Sequence, residues 1–399
     1  MAKSASLIAR DEEYFRESVG PSANGWLHLQ HELSKRAAEN EQARRPTPDT
    51  LSLLRDFGLF DAVLSEADGG WGSGIWQGRP LALWTINRRI GYADPSIAHC
   101  LQLHNNVLDL IFDLAPPQIK ERTINAVKGG HIFGAWGASR YESLPWIAKR
   151  DGSDAYVVSG TAFFCTNAGF ASKALVMAAC PEDTDVPYNG LLFGLLDVDQ
   201  PGVSIEPEWW DQATGMIATA SHRVRLTDIR LTRDDIIADG REIKKFAVQT
   251  RFMPQFASNF LGMMERIVEE ARTYKLRGSK VDDLARVRLG QLALLVLRVE
   301  TLMRETARIW IEKPELAPFM ANAYRSEAGQ ALIESIDHAG TLLGGGGMLS
   351  EFAFAKIVRD ALMMLRHENT DKIRATLGTI YLGTEEADVN YSGRQPVEV

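Results

Sequence analysis

The sequence predicts a multidomain α+β protein with an N-terminal α-helical domain, a small central antiparallel β-barrel or sandwich, and a C-terminal helix bundle. Three observations predict it. Helical apolar spacing runs through the first third, short alternating runs fill the second, and long helical spacing returns in the last. We place the domains at residues 1–130, 131–240 and 241–399, where the pattern changes.

The first third contains clear helix starts. Pro46-Thr47-Pro48-Asp49 predicts the beginning of a helix that ends near Gly58. A second helical pattern runs from Leu81 to Ile90. Ala93-Asp94-Pro95-Ser96 then predicts the cap and first turn of a third helix, which continues to about Ile111.

The middle third has strand signals at short spacing. Turn residues such as Gln200-Pro201-Gly202 separate apolar or alternating runs, as expected for a barrel or sandwich. The predicted strands are 131–137, 155–164, 173–180, 190–198, 203–206 and 223–231.

The last third predicts a bundle. Long apolar-periodic stretches cover 243–276, 284–310 and 323–343, and a final helix pair follows the interruption at Gly344–Gly347. The second stretch carries more apolar residues than the single stripe that packs a helix into a bundle, which indicates an additional surface for contact with another subunit.

Composition excludes several classes of function. The chain has 399 residues and a formal net charge of -8, so it lacks the basic excess of a nucleic-acid-binding surface. Its three cysteines, Cys100, Cys165 and Cys180, lie far apart and form no metal or disulfide pattern. We find no secretory signal or transmembrane run, and expect a cytoplasmic protein that binds no membrane. His99 and His104 are five residues apart, a poor spacing for shared metal ligation, and no metal is expected.

One carboxylate, Glu368, lies at a break between two helical segments. The break reads His367-Glu368-Asn369-Thr370-Asp371, which is typical of turns and helix caps. A carboxylate on such a joint can project into a cavity. It can equally be a solvated cap residue.

The stretch from Arg359 to Ile373 resembles the end of the acyl-CoA dehydrogenase family, which it matches without a gap. The order helical, β, helical is also the architecture of that superfamily, and the resemblance covers about residues 50–385. It implies that Glu368 is the catalytic base and that Thr370 contacts the cofactor, which is FAD in the dehydrogenases.

Two further segments resemble flavin contacts of the family. Phe163-Phe164-Cys165-Thr166-Asn167 is similar to a Trp-Ile-Thr-Asn segment beside the flavin ring, which implies contacts from Phe164, from Asn167 and from the Thr166 hydroxyl to flavin N5. From the residues alone, the segment is also an ordinary strand end with a Thr-Asn turn. The strand 134–139 resembles the second flavin-contacting segment of the family, which implies that Trp136 and Ser139 contact the flavin.

The resemblance implies roles for three more residues. Arg251 stands where the family carries an arginine near the base, so a buried Arg251 would hold Glu368 ionised. A surface arginine at a helix start is the alternative. Gly344 and Gly345 match a glycine turn that approaches the flavin of a neighbouring subunit. We therefore expect a homo-oligomer, a dimer or tetramer.

The chain also departs from the dehydrogenases. It lacks the Arg-x-x-Phe-Gly expected after Tyr274, and Thr341 stands in place of a glutamine. A branch of the same superfamily, the reduced-flavin-dependent monooxygenases of the dibenzothiophene-desulfurising type, also lacks such features. Its members carry a His-Asp pair at the base position, where this chain has His367-Glu368.

Three functions follow. The first, which we favour at this point, is α,β-dehydrogenation of an acyl thioester such as an acyl-CoA, with Glu368 as base, flavin N5 as hydride acceptor and an electron-transfer flavoprotein as partner. The alternative is a monooxygenase that takes reduced FAD or FMN from a flavin reductase and uses His367, which titrates near neutrality, beside the flavin. The third is a non-catalytic subunit of a hetero-oligomer.

Overall fold

The computed structural model describes residues 23–137, 146–180, 191–239, 248–277, 281–349, 352–367 and 370–382. Ser139 and Glu368, two of the predicted site residues, lie outside these ranges. Within them, the order of elements is the predicted one: helices, then a β-sheet, then helices.

Five α-helices occupy the N-terminal part of the described chain. They are α1 (Ala23–Ala43), α2 (Pro48–Asp56), α3 (Pro80–Ala93), α4 (Pro95–Leu114) and α5 (Pro117–Lys128). The predicted starts are confirmed in detail. The Thr47 side chain accepts the Thr50 N–H at the start of α2, and Asp94 accepts the Ser96 N–H at the start of α4.

Helix α4 is the central helix of the molecule. Every residue from Pro95 to Phe112 is buried, including His99 and His104. A helix buried on all sides has no solvated face, so each of its polar side chains needs a protein partner. His104 shows how this is met. Its Nδ1 accepts the Phe133 N–H at 3.1 Å, so Nε2 carries the proton and donates to the Phe60 carbonyl at 2.9 Å.

The β region forms one eight-stranded sheet. Its strands are β1 (Phe133–Trp136), β2 (Trp146–Asp151), β3 (Ala155–Cys165), β4 (Lys173–Ala179), β5 (Leu191–Asp197), β6 (Val203–Glu206), β7 (His222–Thr232) and β8 (Ile236–Asp239). The order is β6-β7-β3-β2-β4-β5-β8, and β1 pairs with β4. The sheet is mixed, since β1 and β2 both run parallel to β4, whereas the sequence predicted antiparallel pairing throughout.

The C-terminal part is a bundle of long helices. They are α6 (Val248–Arg277), α7 (Asp283–Glu312), α8 (Ala317–Leu343), α9 (Ala353–Met364) and α10 (Thr370–Leu382). Helix α6 crosses α3 closely, because a Cβ built on Gly262 would stand 2.2 Å from the Arg88 carbonyl oxygen. Only glycine permits this approach of two backbones.

One hydrophobic core joins the three parts. It runs from Trp84 and Val107 on the N-terminal helices, past Phe133 and Leu175 of the sheet, to Phe260 and the bundle. A second core fills the inner face of the sheet, around Trp136 and Trp146. The division into separate domains near residues 130 and 240 stays a prediction.

Candidate functional site

Backbone strain is concentrated at one place in the fold. Among the described residues, six non-glycine residues have positive φ. Four of these, Phe164, Asn167, Met216 and Ala220, bracket two short segments that lie side by side, with the Asn167 N–H bonded to the Thr219 carbonyl at 3.1 Å. Left-handed backbone costs a non-glycine residue about 1–2 kcal/mol. Strain of this kind collects at sites that need a fixed geometry, so we take these segments as one wall of the candidate site.

An aromatic cluster borders this wall. Strand β3 ends in a bulge against β7 between Ala162 and Cys165, and Phe164 has φ 55° there. The ring of Phe164 is 36% exposed and meets the ring of Trp209 edge-on, with 4.9 Å between centroids. Trp209 in turn stacks on Trp210 at 5.9 Å. The bulge thus presents an open aromatic surface, and the flavin contact predicted for Phe164 stays a prediction.

Three hydroxyl groups and a histidine form a chain just inside the wall. The Thr166 Oγ1 lies 3.3 Å from His99 Nε2 and 2.7 Å from Ser221 Oγ. Ser221 Oγ lies 2.7 Å from Thr219 Oγ1, which donates to the Met216 carbonyl at 2.8 Å. All four side chains are less than a tenth exposed. The sequence singled out Thr166, but neither Ser221, Thr219 nor His99.

Trp136 and Asn167 support this chain from behind. Trp136 is fully buried and donates from Nε1 to the Thr166 carbonyl at 2.9 Å. Asn167 is also fully buried, and its amide donates to the carbonyls of Cys100 and Phe133. Neither side chain offers surface to a ligand. Both residues hold the Thr166 segment in place, and the direct cofactor contacts predicted for them stay a prediction.

Two histidines face each other across the site. The ring of His99, on α4, lies 6.1 Å from the ring of His367, which follows α9. Phe256 of α6 packs against both, 5.5 Å from His99 and 4.6 Å from His367. Burial, and then the neighbouring His367, lowers the pKa of His99 to about 3. His99 is therefore uncharged at neutral pH.

His367 is also uncharged. Burial, and then the Arg325 guanidinium, lowers its pKa to about 4. Its side chain is nevertheless exposed at the surface of the described protein, although many protein atoms surround it. The expectation that His367 titrates near neutrality is wrong. It acts at neutral pH as a hydrogen-bonding imidazole and not as an acid.

Arg251 does not have the partners that the sequence suggested. It is buried on α6 and pairs with Asp113 and, at 3.0 Å, with Asp109, both on α4. Asp109 also accepts the Trp76 N–H. Two aspartates therefore match the charge of Arg251, which joins two helices. The predicted role beside Glu368 is not supported by these contacts.

The arginine that acts on the site is Arg325. It is fully buried on α8, and its guanidinium lies 4.4 Å from the centre of the Phe260 ring. Its charge contributes to the low pKa of His367. Nothing in the local sequence of α8 separates Arg325 from a surface arginine, so only the packing could reveal it.

A buried ionic cluster holds α4, the sheet region and α9 together. Lys356 Nζ lies 2.6 Å from Asp360 Oδ2 and 3.2 Å from Asp94 Oδ1. Asp360 also accepts the Met216 N–H at 2.6 Å. Because Asp94 caps the helix of His99, and α9 leads to His367, this cluster fixes the two histidines relative to each other.

The remaining predicted contacts lie at the end of the bundle. Gly344 has φ 61° and, like Gly345, is exposed with open space around it. Both can approach another molecule, but their contact with a cofactor stays a prediction.

Thr370 is the first residue of α10 and borders a cleft of about 440 Å³. The cleft is lined by Gly329, Gln330, Ile333, Leu365, Arg366, Thr370, Asp371 and Arg374. Its cationic groups and a helix N-terminus suit an anionic group, although the predicted flavin contact of Thr370 is not tested.

Two kinds of site are not found in the described chain. Its His, Cys, Asp and Glu side chains form no group that could hold a metal ion. Likewise, none of its helices is long and apolar enough to span a membrane.

The chain is similar to known proteins over most of its length. No protein-family model matches the chain. Cyclohexane-1-carbonyl-CoA dehydrogenase of Geobacter metallireducens is 24% identical over 346 residues, which is 82% of this chain and 87% of that protein. TdsC of Paenibacillus sp. A11-2, a dibenzothiophene monooxygenase solved with FMN and indole, superposes with a TM-score of 0.79 at 21% identity, over 90% of this chain and 96% of TdsC. Butyryl-CoA dehydrogenase of Megasphaera elsdenii gives 0.77 at 16%, over 91% and 99%.

These relatives confirm the predicted fold class, and they define an oxidoreductase. The chain is similar in sequence and fold to proteins of the acyl-CoA dehydrogenase superfamily, the resemblance that the stretch around Glu368 indicated, and a monooxygenase is among the similar structures.

Proposed function

We propose that this protein is a flavin-dependent oxidoreductase that works as a reduced-flavin-dependent monooxygenase on a small molecule. The observation that carries the proposal is the pair of uncharged histidines, His99 and His367, beside the Thr166 hydroxyl. A neutral imidazole offers one donor and one acceptor, which suits oxygen atoms and ring nitrogens. With pKa values of about 3 and 4, both are weak bases for a carbon-bound proton.

The residues of the site fit a flavin. The exposed Phe164 ring, supported by Trp209, provides an aromatic surface, and Thr166 with the histidines provides uncharged polar groups. Either flavin is suggested, since TdsC is solved with FMN and the resemblance to the dehydrogenases implies FAD. When bound in reduced form, the flavin supplies two electrons and activates oxygen. The protein's part is to position the ring and exclude water.

The site also suggests a substrate class. Its described side chains nearest the histidines are the apolar Phe256 and the neutral hydroxyls, while the charge of Arg325 is stacked against Phe260. An uncharged, planar molecule suits such surroundings better than an ion. Indole, which TdsC binds, is therefore a suitable first probe.

The test is transfer of oxygen from O₂. Purified protein, FMN, NADH and a flavin reductase are incubated with indole and analogous uncharged aromatics under ¹⁸O₂. We expect one ¹⁸O atom in the product. The variant His367→Ala should lose this product while keeping flavin affinity, and His131→Ala, an exposed histidine bonded to Ser172, serves as the matched control. Absence of label from every product would overturn the proposal.

The second candidate is dehydrogenation of an acyl thioester with Glu368 as base and an electron-transfer flavoprotein as acceptor. The curated relatives favour it, because they are acyl-CoA dehydrogenases. Glu368→Gln would then abolish reduction of the flavin by acyl-CoA under rapid mixing. If the protein is the proposed monooxygenase, Glu368→Gln should not affect reduction of the flavin by the flavin reductase or its oxidation by O₂.

We also propose that the protein forms a homo-oligomer, a dimer or tetramer. On α7, Leu292, Leu295 and Val296 are buried in the core, as one apolar stripe requires. Leu294 and Leu297 point away from it and are 65% and 46% exposed. Apolar residues exposed next to one another on a rigid helix suit a second copy of the chain, related by two-fold symmetry.

A further inference from the structure

Helix α10 is attached to the rest of the molecule by little buried surface. Among its described side chains only Ile373 is buried, and it packs with Met253 and Ala321 in a small cluster of its own. Leu377 is partly buried against the same cluster. Helix α9, of similar length, buries six of its residues. Because burial of apolar side chains supplies most of the stability of a helix in a protein, α10 is held much less firmly than α9.

The sequence of α10 adds little stability of its own. Its second half contains Thr376, Gly378 and Thr379, which are poor helix formers. A Cβ built on Gly378 would meet no described atom within 4 Å, so packing does not require a glycine there. Isolated helices shorter than about 12–15 residues are marginal in water even with better residues. With 13 residues, α10 therefore stays folded only while it is docked on the bundle.

Arg374 joins α10 to α8 through two long hydrogen bonds. Its Nε donates to Ser326 Oγ and its Nη2 to Gln330 Oε1, both at 3.3 Å. It also lies 3.9 Å from Asp371, one turn earlier on α10. Contacts of this length, made by an exposed arginine, stabilise little. They orient the docked helix and do not hold it against opening.

The place of α10 gives such opening a consequence. The first turns of α10 line the cleft of about 440 Å³, together with residues of α8. Leu365, which is 4% exposed, and Arg366 line the same cleft. His367 is the next residue of the chain. Movement of α10 away from α8 therefore widens the approach to His367 and uncovers Leu365.

We propose that α10 is a gate, which opens from α8 by local unfolding far more often than the rest of the bundle unfolds and thereby admits the substrate to His367. The second half of the proposal rests on the proposed function, in which His367 belongs to the reacting site. The first half, the opening itself, does not depend on what the protein binds.

Hydrogen exchange followed by mass spectrometry measures the opening in the full chain, without flavin or substrate. We expect the amides of α10 to be protected at least roughly tenfold less than those of α8, as for a segment that opens locally. Gly378→Ala should slow exchange of α10 roughly twofold to fivefold, the effect of this change inside a helix. Ile373→Ala, which removes the buried anchor, should speed it at least roughly tenfold and leave α8 unchanged.

Leu382→Ala is the matched control for Ile373→Ala. Leu382 lies on the same helix but is 77% exposed, so its truncation should not change exchange of α10. Protection of α10 equal to that of α8 would overturn the gate, including the case in which a second copy of the chain covers the helix.

Labelling of a cysteine in the cleft tests what the opening uncovers. In Leu365→Cys, a thiol reagent reaches the new side chain when α10 leaves α8, and the chain's own cysteines, Cys100, Cys165 and Cys180, are buried. We expect labelling to become faster with Ile373→Ala and slower with Gly378→Ala. The same rate in all three proteins would show that α10 does not cover the cleft. If Leu365→Cys does not fold, exchange of α10 alone decides whether the helix opens.

The link to the reaction is measured as kcat/KM for the labelled product formed from indole under ¹⁸O₂. Gly378→Ala should lower this value roughly twofold to fivefold, in step with the slower exchange, and Leu382→Ala should leave it unchanged. Opening without any effect of Gly378→Ala on kcat/KM would overturn the role of the gate and leave the proposed function standing. If no protein forms the labelled product, the proposed function fails, while exchange and labelling still decide whether α10 opens.

Discussion

Replacing Lys356 with methionine should reveal how the buried ionic cluster holds the site together. Lys356 is the only cation that the described contacts give to this cluster, where it meets Asp360 at 2.6 Å and Asp94 at 3.2 Å. Methionine keeps the length of the side chain but removes its charge. Two carboxylates, both almost fully buried, then remain without a counter-charge.

The expected cost at neutral pH is about 3–5 kcal/mol of folding free energy, the usual result of removing one partner of a buried pair. Burial already raises the pKa of Asp360, against the attraction of Lys356. Without that attraction the pKa rises further. A carboxyl group whose pKa is higher in the folded than in the unfolded state destabilises the fold as pH increases. The loss should therefore be small near pH 4 and grow toward pH 7.

Urea unfolding followed by tryptophan fluorescence measures this effect at several pH values, since the chain has nine tryptophans. The double variant Lys356→Met/Asp360→Asn is the control. It removes the unpaired charge while the amide oxygen still accepts the Met216 N–H, and should recover part of the stability. A loss below about 1 kcal/mol at pH 7, or the same loss at pH 5 and 7, would refute the reasoning.

Three further predictions concern the scaffold. Arg251→Met should lower the free energy of unfolding by about 3–5 kcal/mol, because it leaves two aspartates of α4 without their partner. Its control, Arg225→Met at an exposed ion pair, should lower it by less than about 1 kcal/mol in the same urea assay. Gly262→Ala should prevent the approach of α6 to α3 and yield little folded protein on expression, whereas Gly290→Ala, with open space around it, should raise stability by about 0.5–1 kcal/mol. Leu294→Glu should reduce the oligomer to a smaller species in light scattering; an unchanged mass would remove α7 from the interface.

Local chemistry allowed much of the fold to be predicted. Asp94-Pro95 carries both the cap and the first turn of α4, and the structure has both. Strand β2 escaped prediction because its second half, Lys149-Arg150-Asp151, has no apolar residue, and β8 was also missed. The parallel pairing of β1 with β4 joins segments forty residues apart, a relation that spacing along the chain does not contain.

The site was less predictable because its properties depend on packing between distant segments. His99 looked like an ordinary helix residue, and becomes part of the site only when β3 brings Thr166 beside it. The low pKa of His367 arises from burial and from Arg325, forty-two positions earlier in the chain. The partners of Arg251 lie more than 130 residues away, so its sequence neighbourhood could not indicate them.

The most direct test of the central claim is the reaction of the flavin-loaded protein with acyl-CoA in the absence of oxygen. The protein is reconstituted with FAD or FMN and mixed anaerobically with butyryl-CoA or cyclohexane-1-carbonyl-CoA, while the visible absorbance of the flavin is recorded. We expect the flavin to remain oxidised after mixing with either thioester. As a control, a flavin reductase with NADH should reduce the flavin at once. Rapid bleaching by either acyl-CoA, lost in Glu368→Gln, would contradict the monooxygenase assignment and establish the dehydrogenase in its place.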